Sequence, residues 1–222
     1  MVLGLKKLFK GSARSPAALP DDLRAALEAW RGSAAPELDE LHFLTRYVVV
    51  DIATAGTSAA EHDLLGICAL GVRGGAVLPD DAFACDTAAD EGGDAAVDRR
   101  LAAFLEYAAK APLVTFHTPF VAGFLQRAYK ERLGVDFQPR WIDLAWLLPS
   151  LFPDKSRTVA PLDDWLDMFG IAGGGRRDTM ANALVLARLF QMLLVRANGK
   201  DIATAQKLVE ESQAATLLRR TS

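Results

Sequence analysis

The sequence predicts an α/β domain in which helices flank a mixed β-sheet, and three observations support this fold class. The β-branched run Tyr-Val-Val-Val at residues 47–50 is typical of a buried strand. Two apolar stretches, 64–72 and 76–85, flank Gly74-Gly75, and this pattern predicts a β-hairpin. Strand–helix units and a helical tail follow along the chain, an order that is typical of α/β domains.

The other elements are predicted from helical periodicity and from residues that start or stop helices. Pro20-Asp21-Asp22 starts a helix that ends at Gly32, because Asp is favourable at a helix N-terminus and Gly at its end. Residues 1–45 are therefore predicted to be an N-terminal helical extension, and residues 46–222 the main domain with a C-terminal helix. The remaining predictions are a short helix at 36–44, a fourth strand at 112–116, and helices at 96–109, 119–133, 141–151, 161–169, 179–197 and 201–218.

Composition restricts the class of protein and its location. Of the 222 residues, 51% are hydrophobic and 24% charged, which is typical of a globular chain and excludes global disorder. No apolar run reaches the roughly 18 residues that a membrane span needs. Residues 1–10 lack the long apolar core of a secretion signal, and the two cysteines lack CxxC spacing. We therefore expect a cytoplasmic protein without a membrane partner.

The net charge of −3 bears on possible partners. Proteins that bind nucleic acid mainly through its phosphates usually have a basic surface, and this chain is not basic as a whole. Its local pairs of Lys and Arg are interpreted as solvated surface. The basic amphipathic segment 3–10 could contact a membrane surface or an acidic partner, but a frayed terminal helix is the favoured interpretation.

Three short motifs carry the functional information. Residues 51–56 (Asp-Ile-Ala-Thr-Ala-Gly) follow the first strand, and 117–121 (His-Thr-Pro-Phe-Val) open the helix predicted at 119–133. Residues 177–183 (Arg-Asp-Thr-Met-Ala-Asn-Ala) open the helix predicted at 179–197. Together with the segments 141–143 and 162–166, they resemble in order and spacing the motifs of DEDDh 3′–5′ exonucleases, the family of the DNA polymerase III epsilon subunit and RNase T.

The resemblance covers about residues 46–195 and implies a ribonuclease H-like fold with a two-metal site. In such sites two Mg²⁺ or Mn²⁺ ions about 4 Å apart hold the scissile phosphate and activate water. A cluster of carboxylates must hold the ions, since hard dications prefer oxygen anions. A histidine accepts the proton of the attacking water. The family pattern therefore demands four acids and one histidine.

Most of these groups are absent at the matching positions. Asp51 matches the first acid, Ala53 the glutamate, Val121 the second-motif aspartate, Arg177 the histidine base and Asn182 the final aspartate. Alanine and valine cannot ligate a metal, and Asn182 offers only a neutral carbonyl. Arg177 is permanently cationic, so it cannot accept a proton and would repel Mg²⁺. We therefore expect no metal cofactor, with Asp51 as the ligand if any ion binds.

Other residues could in principle replace the missing groups. His117 is a candidate base, and Asp143 and Asp178 are candidate carboxylates. The favoured interpretation of His117 is local hydrogen bonding, and that of Asp178 is a helix cap or a partner of the helix dipole.

Asp51 itself requires a partner if it is buried. We expect the guanidinium of Arg177, or of Arg176, to take the place of the metals and pair with Asp51, because an unpartnered buried carboxylate is costly. The alternative is that Asp51 caps a turn through Thr54 or the amide of Gly56.

Two classes of function follow. The first is a non-catalytic module that binds nucleic acid, a nucleotide or a protein, with the terminal helices as protein interfaces and no cofactor. The second is a weakened or rearranged exonuclease that uses Mg²⁺ or Mn²⁺ to release nucleotides from single-stranded DNA or RNA. By resemblance, Ile52, Thr54, His117 and Phe120 lie near the nucleotide pocket. A third interpretation, an unrelated α/β protein with a chance match, is disfavoured by five segments in order.

Overall fold

The computed structural model describes residue 15 and residues 18–88, 92–173 and 178–220, and in these ranges five strands form one sheet with helices on both faces. This confirms the predicted α/β class. The strands are β1 (Tyr47–Thr54), β2 (Leu64–Arg73), β3 (Ala76–Asp86), β4 (Leu113–Thr115) and β5 (Trp141–Asp143). The helices are α1 (Asp21–Gly32), α2 (Gly93–Ala108), α3 (Thr118–Leu133), α4 (Leu144–Leu151), α5 (Leu162–Phe169), α6 (Thr179–Asn198) and α7 (Ala205–Arg220).

The sheet is mixed, in the order β3-β2-β1-β4-β5, with β1 at its centre. β1 runs antiparallel to β2, with Asp51 opposite Cys68, and parallel to β4, which in turn runs parallel to β5. The predicted hairpin connects β2 to β3 through Gly74 and Gly75, whose φ values of +62° and +73° require glycine. The carboxyl ends of the three parallel strands β1, β4 and β5 therefore lie at one edge.

The alternation of β1 distributes its side chains between two cores. Tyr47 and Val49 pack with α4, α5 and α6, whereas Val48, Val50 and Ile52 pack with α2 and α3 on the other face. Successive side chains of a strand point to opposite faces, so the next odd-numbered residues, at 51 and 53, face the side of α6. This geometry decides which motif residues can meet.

The long helix α6 is a core element of the fold. By length and composition it could cross a membrane, with a mean hydropathy of 1.4, but half of that stretch is buried inside the protein. Its buried residues include Leu186, Phe190 and Leu193. Leu208 and Val209 of α7 join the same core, so this part of the C-terminal helix is internal.

The helix predicted at 36–44 is wrong, because this segment consists of bends and turns. Its backbone bonds to distant residues instead of to itself: the N–H of His42 donates to the carbonyl of Ala203 at 3.1 Å, and the N–H of Gln206 to that of Leu38 at 2.9 Å. These tertiary hydrogen bonds satisfy the groups that a helix would have paired internally.

Further boundaries differ from the prediction, and the strand predicted at 47–50 extends to Thr54. Residues 141–143 form strand β5 rather than the first turn of a helix, and α4 begins only at Leu144, after its cap Asp143. In the predicted N-terminal extension, α1 packs on α2 and contributes Leu23 and Leu27 to the core. Residues 1–14 lie outside the described part of the chain, and the predicted domain boundary near residue 45 stays a prediction.

Candidate functional site

A cavity of about 570 Å³ lies at the carboxyl ends of β1 and β4, between α3, α5 and α6. The three sequence motifs meet here, because each contributes at least one residue to the lining of the cavity. The supporting segment 162–166 contributes Leu162, Asp163 and Leu166. The lining residues are Asp51, Phe116, His117, Pro119, Phe120, Val121, Trp146, Pro161, Leu162, Asp163, Leu166, Asn182, Val185 and Leu186.

Asp51 is one of the two acids among the described residues that line this cavity, the other being Asp163. Its carboxylate accepts a hydrogen bond from the side chain of Asn182, and a second from the backbone N–H of Ile52. Burial raises the pKa of Asp51 to about 6, and the two hydrogen bonds only partly oppose this effect. Asp51 is therefore mainly ionised at neutral pH and acts there as a hydrogen-bond acceptor.

The cap of α6 positions Asn182. The carboxylate of Asp178 accepts from the N–H groups of Met180 and Ala181, each at 3.0 Å, so the interpretation of Asp178 as a helix cap is confirmed. Asn182 follows one turn later, where its own N–H bonds to the carbonyl of Asp178. Burial raises the pKa of the nearby Cys68 thiol, and the charges of Asp51 and Asp178 add to the effect.

His117 precedes α3 at the rim of the cavity. It adopts a left-handed conformation, with φ of +62°, which is uncommon outside glycine. Its backbone N–H donates to Asp143 at 3.0 Å, which holds this conformation in place. The exposed imidazole contacts the Phe116 ring edge-on, with ring centres 4.9 Å apart.

Asp143 has a different environment from Asp51. Besides His117, the backbone N–H groups of Thr118 and Ala145 donate to its carboxylate at 2.9 and 3.0 Å. Its side chain is only 3% exposed, and burial raises its pKa above the ordinary value. The carboxylate of Asp143 therefore caps the starts of α3 and α4. Asp143 does not line the Asp51 cavity.

The walls of the cavity are mostly apolar. Phe120 is half-buried and lies edge-on to Phe124, with ring centres 5.1 Å apart. Phe124 and Val121 are each only 2% exposed, so Phe124 belongs to the core, whereas Phe120 reaches the cavity. Phe116 and Trp146 complete an aromatic lining.

The structure separates the residues that resemblance placed near a nucleotide. His117 and Phe120 line the cavity, whereas Ile52 is 8% exposed and packs in the core on the opposite face of the sheet. The Thr54 hydroxyl donates to the carbonyl of Gly56 at 2.8 Å, and Thr54 does not line the cavity. Ala53 follows Asp51 on the same face of β1 and lies opposite Gly66.

Arg176 and Arg177 lie outside the described residues, so the expected pair between an arginine and Asp51 stays a prediction. Sequence reasoning missed several lining residues, and three of them are Phe116, Trp146 and Asp163. Two of them carried a signal, because Phe116 directly precedes the second motif and Asp163 lies in a supporting segment. Trp146 lies in the first turn of α4, and only the packing of that helix brings it here.

The donor groups of the cavity do not fit a pair of divalent cations. Across residues 18–88, 92–173 and 178–216, no group of three or more His, Cys, Asp or Glu side chains lies close enough to hold a metal ion. Among the described residues that line the cavity, the side chains with atoms able to ligate a metal are Asp51, His117, Asp163 and Asn182. Two hard cations need a denser set of carboxylates than this.

No protein-family model matches the chain, and no curated protein matches it in sequence. Solved structures of E. coli exonuclease I match its fold. The complex with a dA16 oligonucleotide gives a TM-score of 0.54 at 14% identity over 75% of this chain and 42% of that chain. The zinc-bound complex with single-stranded DNA gives 0.53 at 14% identity over 69% and 41%. A product-bound structure of exonuclease I gives a TM-score of 0.51 at 15% identity over 75% of this chain and 45% of that chain.

These matches confirm the ribonuclease H-like fold that the motif resemblance implied, the fold of a DEDDh exonuclease. The chain spans less than half the length of the exonuclease I structures it matches. At these identities the likeness is one of fold.

Proposed function

We propose that this protein is a non-catalytic module that binds the end of a single-stranded nucleic acid, or a nucleotide, in the Asp51 cavity. One observation carries the proposal: the cavity is present where the motifs meet, but its central acid is bonded to the amide of Asn182 and its walls are mostly apolar. Such a site can hold a ligand and has few groups that could cleave one.

The chemistry of the lining argues against hydrolysis. Cleavage of a phosphodiester requires an activated water and charges that stabilise the phosphoryl transition state. Ala53 and Val121 contribute only hydrocarbon at positions where the resembling family has acids. Asn182 supplies a neutral amide in place of a carboxylate. We therefore propose that binding needs no metal cofactor.

Two arguments support binding of nucleic acid. The exonuclease I structures with the same fold contain single-stranded DNA or oligonucleotides. In this chain, Phe116, Phe120 and Trp146 line the cavity, and aromatic side chains that stack on a base contribute about 1–3 kcal/mol each. Stacking does not depend on a basic surface, so it agrees with the net charge of −3.

A second candidate function is a rearranged exonuclease. It is favoured by one observation, that His117 and Asp163 line the same cavity as Asp51. A histidine and two carboxylates could support slow metal-dependent hydrolysis, with His117 as the base.

Binding and cleavage should be measured separately. Labelled single-stranded DNA and RNA are titrated with the full chain in EDTA and followed by fluorescence anisotropy, and the same substrates are incubated with Mg²⁺ or Mn²⁺ and separated on gels. We expect binding in EDTA and no cleavage. The Phe120→Ala variant should bind about tenfold more weakly, which corresponds to one lost stacking contact. Phe43→Ala is the matched control, because Phe43 is 52% exposed and lies outside the cavity.

Each other result decides between the candidates. Metal-dependent cleavage that disappears in both Asp51→Ala and His117→Ala would establish the rearranged exonuclease. The absence of both binding and cleavage would refute the two candidates together. Equal affinities of Phe120→Ala and the unsubstituted chain would place binding outside this cavity.

We also propose a cytoplasmic location. Cys68 and Cys85 are free thiols that pack on opposite faces of the sheet, and unpaired cysteines agree with a reducing compartment. Protein binding through the terminal helices stays a prediction.

A further inference from the structure

We infer that a groove along the carboxyl-terminal half of α6 binds a segment of a partner protein in which large apolar side chains are flanked by aspartate or glutamate. This α6 groove has a volume of about 700 Å³. It shares no described lining residue with the Asp51 cavity, so the inference goes beyond the proposed function. Apolar side chains, a glycine and two cations line it: Phe152, Met192, Val195, Arg196, Gly199 and Lys200.

The α6 groove exposes apolar side chains. Val195 is 73% exposed, the highest fraction among the exposed large hydrophobic residues in the described part of the chain, and Met192 is 37% exposed. Leu184 is exposed too, and its spacing from Met192 and Val195 places all three side chains on one face of the helix. Exposed apolar surface bordered by polar side chains is typical of protein interaction sites.

An exposed aromatic ring lies beside this face of α6. The side chain of Gln191 donates to the carbonyl of Gly75 at 2.7 Å, which holds the tip of the β2–β3 hairpin against the helix one turn before Val195. The Phe43 ring approaches to 3.1 Å the position that a β-carbon would occupy at Gly75, and Phe43 is 52% exposed. The apolar surface therefore extends from the helix toward the hairpin.

The charges at the α6 groove favour an acidic partner. α6 contains two arginines and no aspartate or glutamate, and Lys200 follows its end. Arg188 and Lys200 are exposed, and neither forms an ion pair with a described residue. In the described part of the chain, the carboxylate that pairs with a lining cation is that of Asp154, 2.8 Å from Arg196. A carboxylate of a bound segment can therefore pair with Lys200 or Arg188.

Two acids of neighbouring segments do not change this balance. Asp201 directly follows Lys200, and Glu211 belongs to α7, but neither lines the α6 groove. The carboxylate of Glu211 accepts a hydrogen bond from the Ser150 hydroxyl at 2.6 Å. The ammonium of Lys200 donates to the backbone carbonyl of Ser150 at 3.4 Å, a long bond that leaves it able to bind a carboxylate.

A second copy of this chain and an anionic membrane match the groove less well. A symmetric contact places the same patch of both copies together, so the cations of one α6 groove would face those of the other. A membrane takes up apolar side chains that project from a helix, whereas a concave groove takes up a projecting side chain of its partner. An apolar anchor between acids matches both the floor of the groove and its cations.

Selection from a random peptide library tests the inference. Phage display peptides of about twelve residues, long enough for the anchors of a helix that binds in a groove, and they are selected against the immobilised full chain. We expect the enriched peptides to combine Leu, Phe or Trp with neighbouring aspartate or glutamate. Their synthetic versions, followed by fluorescence anisotropy, should bind more weakly as the salt concentration rises.

Three variants locate the binding surface. Val195→Asp places a charge in the apolar floor and should weaken the peptides at least about tenfold. Lys200→Glu should weaken them roughly threefold or more, and it should favour versions in which lysine replaces the acids. Leu65→Asp is the matched control, because Leu65 is an exposed leucine of β2 outside the groove, and it should leave the affinity unchanged. Circular dichroism checks that each variant is folded.

Every other outcome overturns the inference. Enriched peptides without acids, peptides that bind Val195→Asp as tightly as the unsubstituted chain, or no enrichment at all would each do so. Sedimentation velocity and flotation with phosphatidylserine vesicles then identify a different occupant. A dimer that dissociates in Val195→Asp would show a second copy, and vesicle binding that Val195→Asp abolishes would show a membrane surface. Binding of single-stranded DNA should be unchanged in Val195→Asp, so the proposed function is tested independently.

Discussion

Asp51 and Asp143 are two buried acids of one sheet with opposite surroundings. Each lies toward the carboxyl end of a strand, in β1 and β5, and burial raises the pKa of both. Asp143 accepts three backbone N–H bonds from two helix starts. Asp51 is bonded to the amide of Asn182 and the adjacent N–H of Ile52, and it faces a cavity.

Asp143 stabilises the fold through its hydrogen bonds to several helices, whereas Asp51 faces the cavity of the candidate site. Asp143 joins α3 to α4, and its own backbone N–H bonds to the Ser212 hydroxyl of α7 at 2.9 Å, so three helices meet at this residue. Among the described residues, Asp51 connects β1 to the first turn of α6 through Asn182. Removing Asp143 should therefore damage the fold, whereas neutralising Asp51 should leave it intact or strengthen it.

The largest expected effect is that of Asp143→Ala. The substitution leaves three backbone N–H groups without their acceptor and removes the cap of α4, so we expect it to lower the free energy of unfolding by about 3–4 kcal/mol. Urea unfolding followed by circular dichroism measures this change. A loss below about 1 kcal/mol would contradict the assignment of Asp143 as the junction.

The second prediction is that Asp51→Asn raises the free energy of unfolding at neutral pH, whereas Asp143→Ala lowers it. The pKa of Asp51 is about 6 in the fold against 3.8 for an unperturbed aspartate, so between these values the folded protein binds more protons than the unfolded chain. Stability contributed by protonated Asp51 is present below pH 3.8 and is lost as pH rises to 6. Asparagine stays neutral, so the variant should be more stable at pH 7.5, by on the order of 2 kcal/mol.

Unfolding curves at pH 4 and pH 7.5 check this prediction, because the advantage of the variant should shrink at the lower pH. Other titratable groups near Asp51 are Cys68, Asp178, His117 and Asp163, and they are present in both proteins, so their contributions largely cancel in the comparison. A variant that is less stable at pH 7.5 would show that Asp51 holds the fold as Asp143 does.

The smallest expected effect is that of Asp178→Ala, which tests the link between the cap of α6 and the Asp51 cavity. Loss of the bonds to Met180 and Ala181 should lower the free energy of unfolding by about 1 kcal/mol. Asp178→Asn keeps a capping oxygen and should change it by only a few tenths. Thermal unfolding of the two variants measures the difference, and equal melting temperatures would argue against a capping role.

Local patterns predicted most of the fold correctly. The β-branched run of β1, the hairpin at Gly74-Gly75 and the long periodic stretch of α6 are each recognisable from neighbouring residues, and each occurs in the structure. The helices predicted at 36–44 and 141–143 were wrong because these segments form hydrogen bonds with distant residues. Segment 36–44 bonds to residues at and just before the start of α7, and segment 141–143 pairs with β4. No local pattern contains those partners.

For the candidate site too, some features could be predicted from the sequence and others depended on the tertiary structure. The order of the motifs determined that Asp51 lies toward the carboxyl end of a strand, where the motifs meet. The expected place of Ile52 near the nucleotide pocket was wrong, because side-chain direction alternates along a strand and Ile52 packs on the opposite face from Asp51. Only the tertiary structure decided that Asn182 bonds to Asp51, that Asp143 and Asp178 occupy the helix N-termini, and that Trp146 reaches the cavity. These contacts join residues far apart in sequence, and only the packing of helices on the sheet brings them together.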